Sequence, residues 1–190
     1  MNTLFSRFLC HPGRIGAFCP SSPQLCRTIV RGIGVERAAV VAELGPGTGV
    51  ITREILARLP ESGRLVTVEL DPALISALKR EFPAAIVCCG CASRLPEMLA
   101  ERSLPAADAV VSGLPWAIFP DELQEKILGG VLTALRPGGW FTTFAYMQGV
   151  MLPAGLRFRR RLREHFSQVD THRMVWRNLP PAFIYRCRKD

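Results

Sequence analysis

The chain has 190 residues, of which 48% are hydrophobic, and it carries a formal net charge of +8. This length suits one well-buried core rather than two full domains. We expect a cytoplasmic protein, because no apolar run reaches the roughly 18 residues that span a bilayer and the N-terminus lacks the apolar stretch and cleavage site of a secretory signal. The seven cysteines do not form two C-x-x-C motifs, the pair that a zinc site commonly uses, and the chain lacks export features. Both observations argue against a metal site and against disulfides.

From residue 38 onward, short apolar runs alternate with helical patterns, which predicts βαβ units and a parallel sheet. A helical stretch near 23–32, with Ser21 or Ser22 as its cap, comes before this pattern. We therefore divide the chain into an N-terminal helical or lid segment, 1–37, and a main domain, 38–190. The predicted strands are 39–44, 64–69, 85–89, 107–112, 138–146, 168–176 and 181–187. The predicted helices are 48–59, 72–81, 93–101, 121–135 and 155–166.

A glycine-rich turn follows the first predicted strand and opens a helix. Glycine permits positive φ and close approach of a ligand to the backbone, so this segment is typical of a nucleotide site. The spacing does not fit the dinucleotide pattern G-x-G-x-x-G, because position 50 or 52 would then have to be glycine. The pattern is instead E-x-G-x-G-x-G, and an acidic residue ends the next strand. These residues are Glu43, Gly45, Pro46, Gly47, Thr48, Gly49 and Glu69.

This combination resembles the class I S-adenosylmethionine-dependent methyltransferases. The resemblance implies an α/β fold: a single Rossmann-like domain with a mostly parallel seven-stranded sheet, helices on both faces and an antiparallel C-terminal strand. It implies S-adenosylmethionine as cofactor, with the glycine turn against its methionine and ribose portion. Glu69 would accept hydrogen bonds from both ribose hydroxyls. The remaining implied cofactor contacts are Ser21, Ser22, Leu70, Cys91 and Ala92.

The adenine loop departs from the family pattern. The family commonly has Gly-Asp-Ala where this chain has Gly90, Cys91 and Ala92. A thiol is a poor acceptor for the adenine amino group, so backbone groups would carry more of the adenine binding.

A second motif follows the fourth predicted strand. Proline and glycine in it favour backbone carbonyls that point out of the sheet, which suits recognition of an amine. Methyl transfer needs a neutral amine held close to the methyl group, and fixed acceptors supply that orientation. We assign Ser112 and the carbonyls of Leu114 and Pro115 to the amine, and Trp116 to a wall over it. A purely structural loop with a buried tryptophan is the alternative.

A closer resemblance covers nearly the whole chain. The segments 16–22, 43–49, 112–115 and 177–182 look like those of the bacterial phospholipid N-methyltransferases, which methylate phosphatidylethanolamine. That group is similar to the ribosomal RNA adenine N6-dimethyltransferases, whose motif usually reads Asn-Leu-Pro-Tyr. Ser112 stands in place of the asparagine, and Trp116 in place of the base-stacking aromatic.

Two basic and apolar segments could contact an anionic partner, which the positive charge suggests is either an acidic membrane or a nucleic acid. In the segment 155–166, five arginines flank a stripe formed by Phe158, Leu162 and Phe166. This pattern is typical of a membrane-surface helix and equally of a helix that packs on the sheet with its arginines in water. The segment 4–9 is a second candidate, as a lid or anchor.

The leading hypothesis is methylation of phosphatidylethanolamine-type phospholipids by a cytoplasmic protein that is peripheral at the membrane. The alternatives are an RNA adenine methyltransferase and a catalytically silent cofactor-binding protein. We find no obvious general base in the sequence.

Overall fold

The computed structural model describes residues 22–176, 178 and 180–190. Its strands form one seven-stranded sheet in the order β3-β2-β1-β4-β5-β7-β6. Strands β1 to β5 run parallel, and β7 lies antiparallel between β5 and β6. The strands are β1 (Val40–Leu44), β2 (Arg64–Glu69), β3 (Ala85–Cys89), β4 (Ala107–Ser112), β5 (Leu135–Tyr146), β6 (Gln168–Val175) and β7 (Ala182–Arg188). The predicted α/β fold class is confirmed.

The helices lie on both faces of this sheet. They are α1 (Pro23–Val30), α2 (Val50–Leu56), α3 (Pro72–Glu81), α4 (Leu95–Ala100), α5 (Asp121–Ala134), α6 (Met147–Val150) and α7 (Pro153–His165). Single 3₁₀ turns occupy Val35–Arg37, Ala92–Arg94 and Trp116–Ile118. The short α6 was not predicted. Helix α2 starts at residue 50 rather than 48, because Gly49 adopts a left-handed conformation with φ of 80°.

Side chains that alternate along β1 supply the core on both faces. On one face Val40, Ala42 and Leu44 pack in the apolar cluster that α4, α5 and α7 cover. On the other face Val41 packs in the cluster beneath α1 and α2. Helix α1 thus shares the core of the sheet, and the domain boundary at residue 37 stays a prediction.

Strand β5 begins earlier than predicted. Leu135 already pairs with Ala107, and the ladder then skips to Trp140 opposite Ala109. The intervening Arg-Pro-Gly-Gly segment forms an excursion in which Gly138 has φ of 70°. The predicted turn is therefore present, but it interrupts the strand instead of preceding it.

Candidate functional site

The loops that follow β1 and β4 meet at the carboxyl edge of the sheet. The amide of Gly45 donates to Val68 O at 3.0 Å, and the amide of Gly113 donates to Leu44 O at 2.8 Å. A Cβ on Gly45 would lie 2.8 Å from Cδ2 of Leu114, so the two loops touch. The glycine turn and the motif at 112–116, which are far apart in the sequence, thus lie side by side, as expected for a ligand site in an open α/β sheet.

The glycine turn is closed on one side and open on the other. Gly45, Gly47 and Gly49 all adopt positive φ. A Cβ on Gly49 would lie 2.2 Å from the ring of Phe82, so that position tolerates no side chain. A Cβ on Gly47 would have no neighbour within 4 Å, which leaves its backbone open to a ligand. Pro46 and Thr48 complete the turn.

Glu43 is fully buried at the end of β1. Its Oε2 accepts a hydrogen bond from Thr52 Oγ1 at 2.6 Å, and its Oε1 is buried without a partner among the described residues. Burial raises the pKa of Glu43 to about 8, and the nearby charge of Glu69 adds to the rise, while the Thr52 bond opposes it. A donor group of a bound ligand would satisfy this oxygen. Sequence analysis missed Thr52, although its place in the first turn after the glycine turn was a usable signal.

Glu69, at the end of β2, connects two loops. Its Oε1 accepts from the amides of Leu70 at 2.7 Å and Asp71 at 3.1 Å, and its Oε2 accepts from the amide of Gly47 at 3.3 Å. A carboxylate offers about four acceptor positions, so at least one stays available. The half-buried Glu69 therefore retains the capacity to bind a sugar hydroxyl next to the glycine turn.

The loop after β3 lies beside this carboxylate. Gly90 N donates to Glu69 O at 2.9 Å. Cys91 is half-buried, and its Sγ accepts from Ser93 Oγ at 3.2 Å. Ala92 is buried and begins the 3₁₀ turn. Both residues therefore lie next to the ribose-binding candidate, and their contact with adenine stays a prediction.

Ser112 is fully buried, and its hydroxyl is already engaged. Its Oγ accepts from Leu114 N at 3.3 Å and from the indole Nε1 of Trp116 at 3.0 Å, while its carbonyl accepts from Thr143 Oγ1 at 3.1 Å. Ser112 therefore fixes the shape of the loop at 112–118, called the acceptor loop below. Its hydroxyl hydrogen remains as a donor.

The other predicted acceptors in this loop are also engaged. The carbonyl of Leu114 accepts from Trp116 N at 3.0 Å, and the carbonyl of Pro115 accepts from Ile118 N at 3.1 Å. A carbonyl oxygen has two lone pairs, so each one retains room for a single further donor.

Trp116 points into the core. It is 2% exposed, stacks on Phe158 with ring centroids 4.4 Å apart, and meets Phe119 and Phe141 edge-on at 6.2 and 6.0 Å. The structure thus gives Trp116 the place of a core residue that anchors the acceptor loop. An open wall over the amine, as predicted from sequence, does not fit this placement.

Gln124, which sequence analysis overlooked, binds the acceptor loop from the buried side. Its Nε2 donates to Trp116 O at 2.7 Å and to Phe119 O at 3.2 Å. Its Oε1 accepts from Arg161 Nη1 at 2.7 Å. A polar residue on the buried side of an apolar helix was the available sequence signal.

The basic segment forms α7, and its apolar stripe packs inward. Phe158, Leu162 and Phe166 are buried in the core. Arg161 is also buried and pairs with Asp121 at 3.1 Å and Glu125 at 3.0 Å. The stripe therefore packs inward, as the packing alternative expected, but Arg161 is buried rather than in water.

Ser22 and Asn178, which belong to two of the segments behind the closer resemblance, are hydrogen-bonded to each other. Ser22 caps α1 through a bond from Leu25 N to its Oγ at 3.2 Å, and its own amide donates to Oδ1 of the buried Asn178 at 2.8 Å. The cofactor contact expected of Ser22 stays a prediction. Ser21 and the segment 4–9 lie outside the described residues.

Within the described part of the chain, no helix combines the length and apolarity needed to cross a membrane. The same residues contain no group of three or more His, Cys, Asp or Glu that could hold a metal ion.

Comparison with known proteins finds similar sequences. Residues 41–139 match the family described as a methyltransferase domain. The chain is 39% identical over 185 residues to the ornithine lipid N-methyltransferase of Singulisphaera acidiphila. The aligned region covers 96% of this chain and 92% of that protein. It is 40% identical over 72 residues to ribosomal RNA small subunit methyltransferase A of Acidobacterium capsulatum, but this covers only 38% of this chain and 24% of that protein.

Solved structures share the fold. An O-methyltransferase from Bacillus cereus in complex with SAH matches with a TM-score of 0.70 at 14% identity, over 98% of this chain and 90% of that one. A putative O-methyltransferase from Klebsiella pneumoniae matches with a TM-score of 0.71 at 17% identity, over 100% and 91% of the two chains.

Proposed function

Because this chain belongs to the class I S-adenosylmethionine-dependent methyltransferases, we propose that it methylates the primary amine of a membrane lipid. The observation that carries the proposal is the 39% identity to a lipid N-methyltransferase along almost the full length of both chains. Sequence analysis favoured phosphatidylethanolamine, and the relative's name adds ornithine lipid. Both lipids present a primary amine at the membrane surface, so both are candidate substrates.

The residues at the carboxyl edge fit the cofactor. Gly47 leaves open backbone, Glu69 keeps acceptor capacity for a ribose hydroxyl, and Glu43 has a buried oxygen without a donor that an amino group would satisfy. When bound, S-adenosylmethionine supplies a methyl group on a positively charged sulfur. We assign its binding to these residues together with Ser22, Gly45, Pro46, Thr48, Gly49, Leu70, Cys91 and Ala92.

The acceptor loop would hold the amine. An amine attacks only when it is neutral, and it gains positive charge as the new bond forms, so nearby oxygen acceptors favour the reaction. The carbonyls of Leu114 and Pro115 each keep one lone pair for this role, and Ser112 holds the loop in shape. Trp116 acts through its anchoring of the loop. The proton of the lipid ammonium would leave to water or to a lipid phosphate.

Ribosomal RNA is the alternative substrate. The RNA-methylating relatives match about a quarter of their own lengths, whereas the lipid-methylating relative matches over 92%. The buried indole of Trp116 is also poorly placed to stack on a base. Lipid is therefore the better supported class.

Transfer of radiolabelled methyl groups would test the proposal. Phosphatidylethanolamine, ornithine lipid, both dispersed in detergent, and ribosomal RNA are offered side by side. We expect incorporation into lipid, and loss of that incorporation in Glu69→Gln, while Glu61→Gln, an exposed acid in a turn, serves as the matched control. Incorporation into RNA alone would support the alternative. No incorporation with intact cofactor binding would indicate a catalytically silent protein.

A further inference from the structure

Exposed apolar side chains concentrate in one region of the molecule. Among the described residues, the large hydrophobic side chains that are exposed are Met147, Met151, Leu152, Leu156 and Trp176, with exposed fractions of 41%, 78%, 44%, 55% and 71%. The first four follow each other along α6 and the start of α7, and the fifth follows β6. We call these five residues the apolar rim. Such clustering marks a binding surface, whereas single exposed apolar residues are ordinary.

Both parts of the apolar rim lie beside the start of β7, at the carboxyl edge of the sheet. Met147 directly follows β5, and its amide donates to Pro181 O at 2.9 Å, just before β7. Val175, which precedes Trp176, pairs with Ala182 at the start of β7. The rim therefore lies on the same edge as the glycine turn and the acceptor loop.

The rim also borders the acceptor loop directly. A Cβ on Gly149 would lie 2.9 Å from Cβ of Ala117, so α6 is in close contact with this loop. At the start of α7, Ala154 O accepts from Gln124 Nε2 at 3.4 Å, and the same amide group binds the carbonyl of Trp116. A surface that contacts the rim would thus lie beside the residues assigned to the amine.

Positive charge continues the rim along α7. Leu152, Leu156, Arg160 and Arg163 lie at helical spacings of three and four, which places them on one side of the helix. Arg160 is 68% exposed and its ion pair with Glu164 is long, at 3.4 Å. Arg163 is exposed as well. An apolar end followed by exposed cations, in a chain of net charge +8, matches an anionic lipid surface.

We propose that the apolar rim docks on the headgroup region of an anionic bilayer and so presents the acceptor loop to lipid amines. The identity of the lipid amine that reaches the acceptor loop rests on the proposed function. The docking of the rim on the bilayer does not. Tryptophan suits the membrane interface because its ring is apolar while its indole N–H can stay hydrated. The apolar side chains of methionine and leucine gain free energy when they leave water for the acyl boundary. The proposed membrane contact is thus the apolar rim and not the buried stripe of α7.

Vesicle flotation of the full chain tests the docking surface. Vesicles of phosphatidylglycerol and phosphatidylcholine contain no primary amine, so the result does not depend on substrate identity. We expect Met151→Glu/Leu156→Glu to lower vesicle affinity by about tenfold or more. Ser62→Glu/Thr133→Glu, which adds the same charge at exposed positions elsewhere, should bind like the unaltered protein. Equal flotation of both double variants would overturn the proposal.

Two further measurements test which residues contact the bilayer. Brominated lipid should quench the fluorescence of the unaltered protein and quench Trp176→Phe much less, and equal quenching would refute contact at the rim. Loss of flotation in Leu4→Glu/Phe8→Glu, with full flotation in Met151→Glu/Leu156→Glu, would assign docking to the N-terminal segment instead.

Activity distinguishes this inference from the proposed function. The rim variant should lose methylation of lipid in vesicles but keep methylation of detergent-dispersed lipid within about twofold, since the site itself is intact. If the unaltered protein methylates no dispersed lipid, the proposed function fails, while flotation still decides the docking surface.

Discussion

Replacement of Glu43 by glutamine should make the ligand-free protein more stable at alkaline pH. Glu43 has a pKa raised by burial from its ordinary value of 4.5 to about 8. The folded state therefore binds more protons than the unfolded state between these values, and its stability falls as pH rises through this window. The penalty is absent below pH 4.5 and complete above about pH 8.

The size of the effect follows from this pKa difference. One pKa unit corresponds to about 1.4 kcal/mol. The rise in the pKa of Glu43 therefore corresponds to roughly 5 kcal/mol of stability lost at high pH. Glutamine keeps the acceptor for Thr52 but places an amide donor where no acceptor is described, which costs about 1–3 kcal/mol. We expect a net gain of about 2–4 kcal/mol above pH 8, or about 4–16 °C in melting temperature.

Thermal and urea unfolding at pH 5 to 9 would measure the difference between variant and unaltered protein. The difference in stability should grow with pH for Glu43→Gln, and Glu61→Gln, which replaces an exposed acid, serves as the control. A gain that is the same at both ends of the range, or a loss at high pH, would refute the argument. S-adenosylhomocysteine should reduce the stability difference between Glu43→Gln and the unaltered protein if its amino group lies near Glu43, because a cation favours the charged carboxylate.

Three other substitutions test separate parts of the site. Gly49→Ala should lower the free energy of unfolding by more than about 2 kcal/mol, measured in urea, because its Cβ would overlap the ring of Phe82 and its φ is positive. Cys91→Asp should tighten S-adenosylhomocysteine binding by about three- to tenfold, since a carboxylate is the better acceptor for an amino group, and an unchanged calorimetric Kd would contradict this. Gln124→Leu should cost about 2–4 kcal/mol of stability, because a loop carbonyl and the buried Arg161 each lose a partner; an unaffected melting temperature would count against that account.

Local patterns were enough to predict the sheet and the loops at its edge. The strand-turn-helix around Gly47 and the acid Glu69 could be predicted because both depend on short segments and fixed spacing. Their proximity followed from the rule that parallel strands share one carboxyl edge. The amide of Gly47 does donate to Glu69, as this geometry requires.

Side-chain direction could not be predicted in the same way. Trp116 follows a proline in a loop, and its burial depends on Phe158, which a distant helix supplies. The spacing of Phe158, Leu162 and Phe166 identified an apolar stripe correctly, but periodicity does not tell whether a stripe faces protein or lipid. The roles of Gln124 and Thr52 likewise come from tertiary neighbours.

The buried guanidinium of Arg161 has a mechanical consequence. Its partners Asp121, Gln124 and Glu125 all belong to α5, so a slide or rotation of α7 along that helix would strand a charge away from water. These pairs fix α7 against α5, so the proposed docking surface would lose little conformational entropy on contact. A preformed docking surface of this kind would permit rapid, repeated binding to the bilayer without a refolding step.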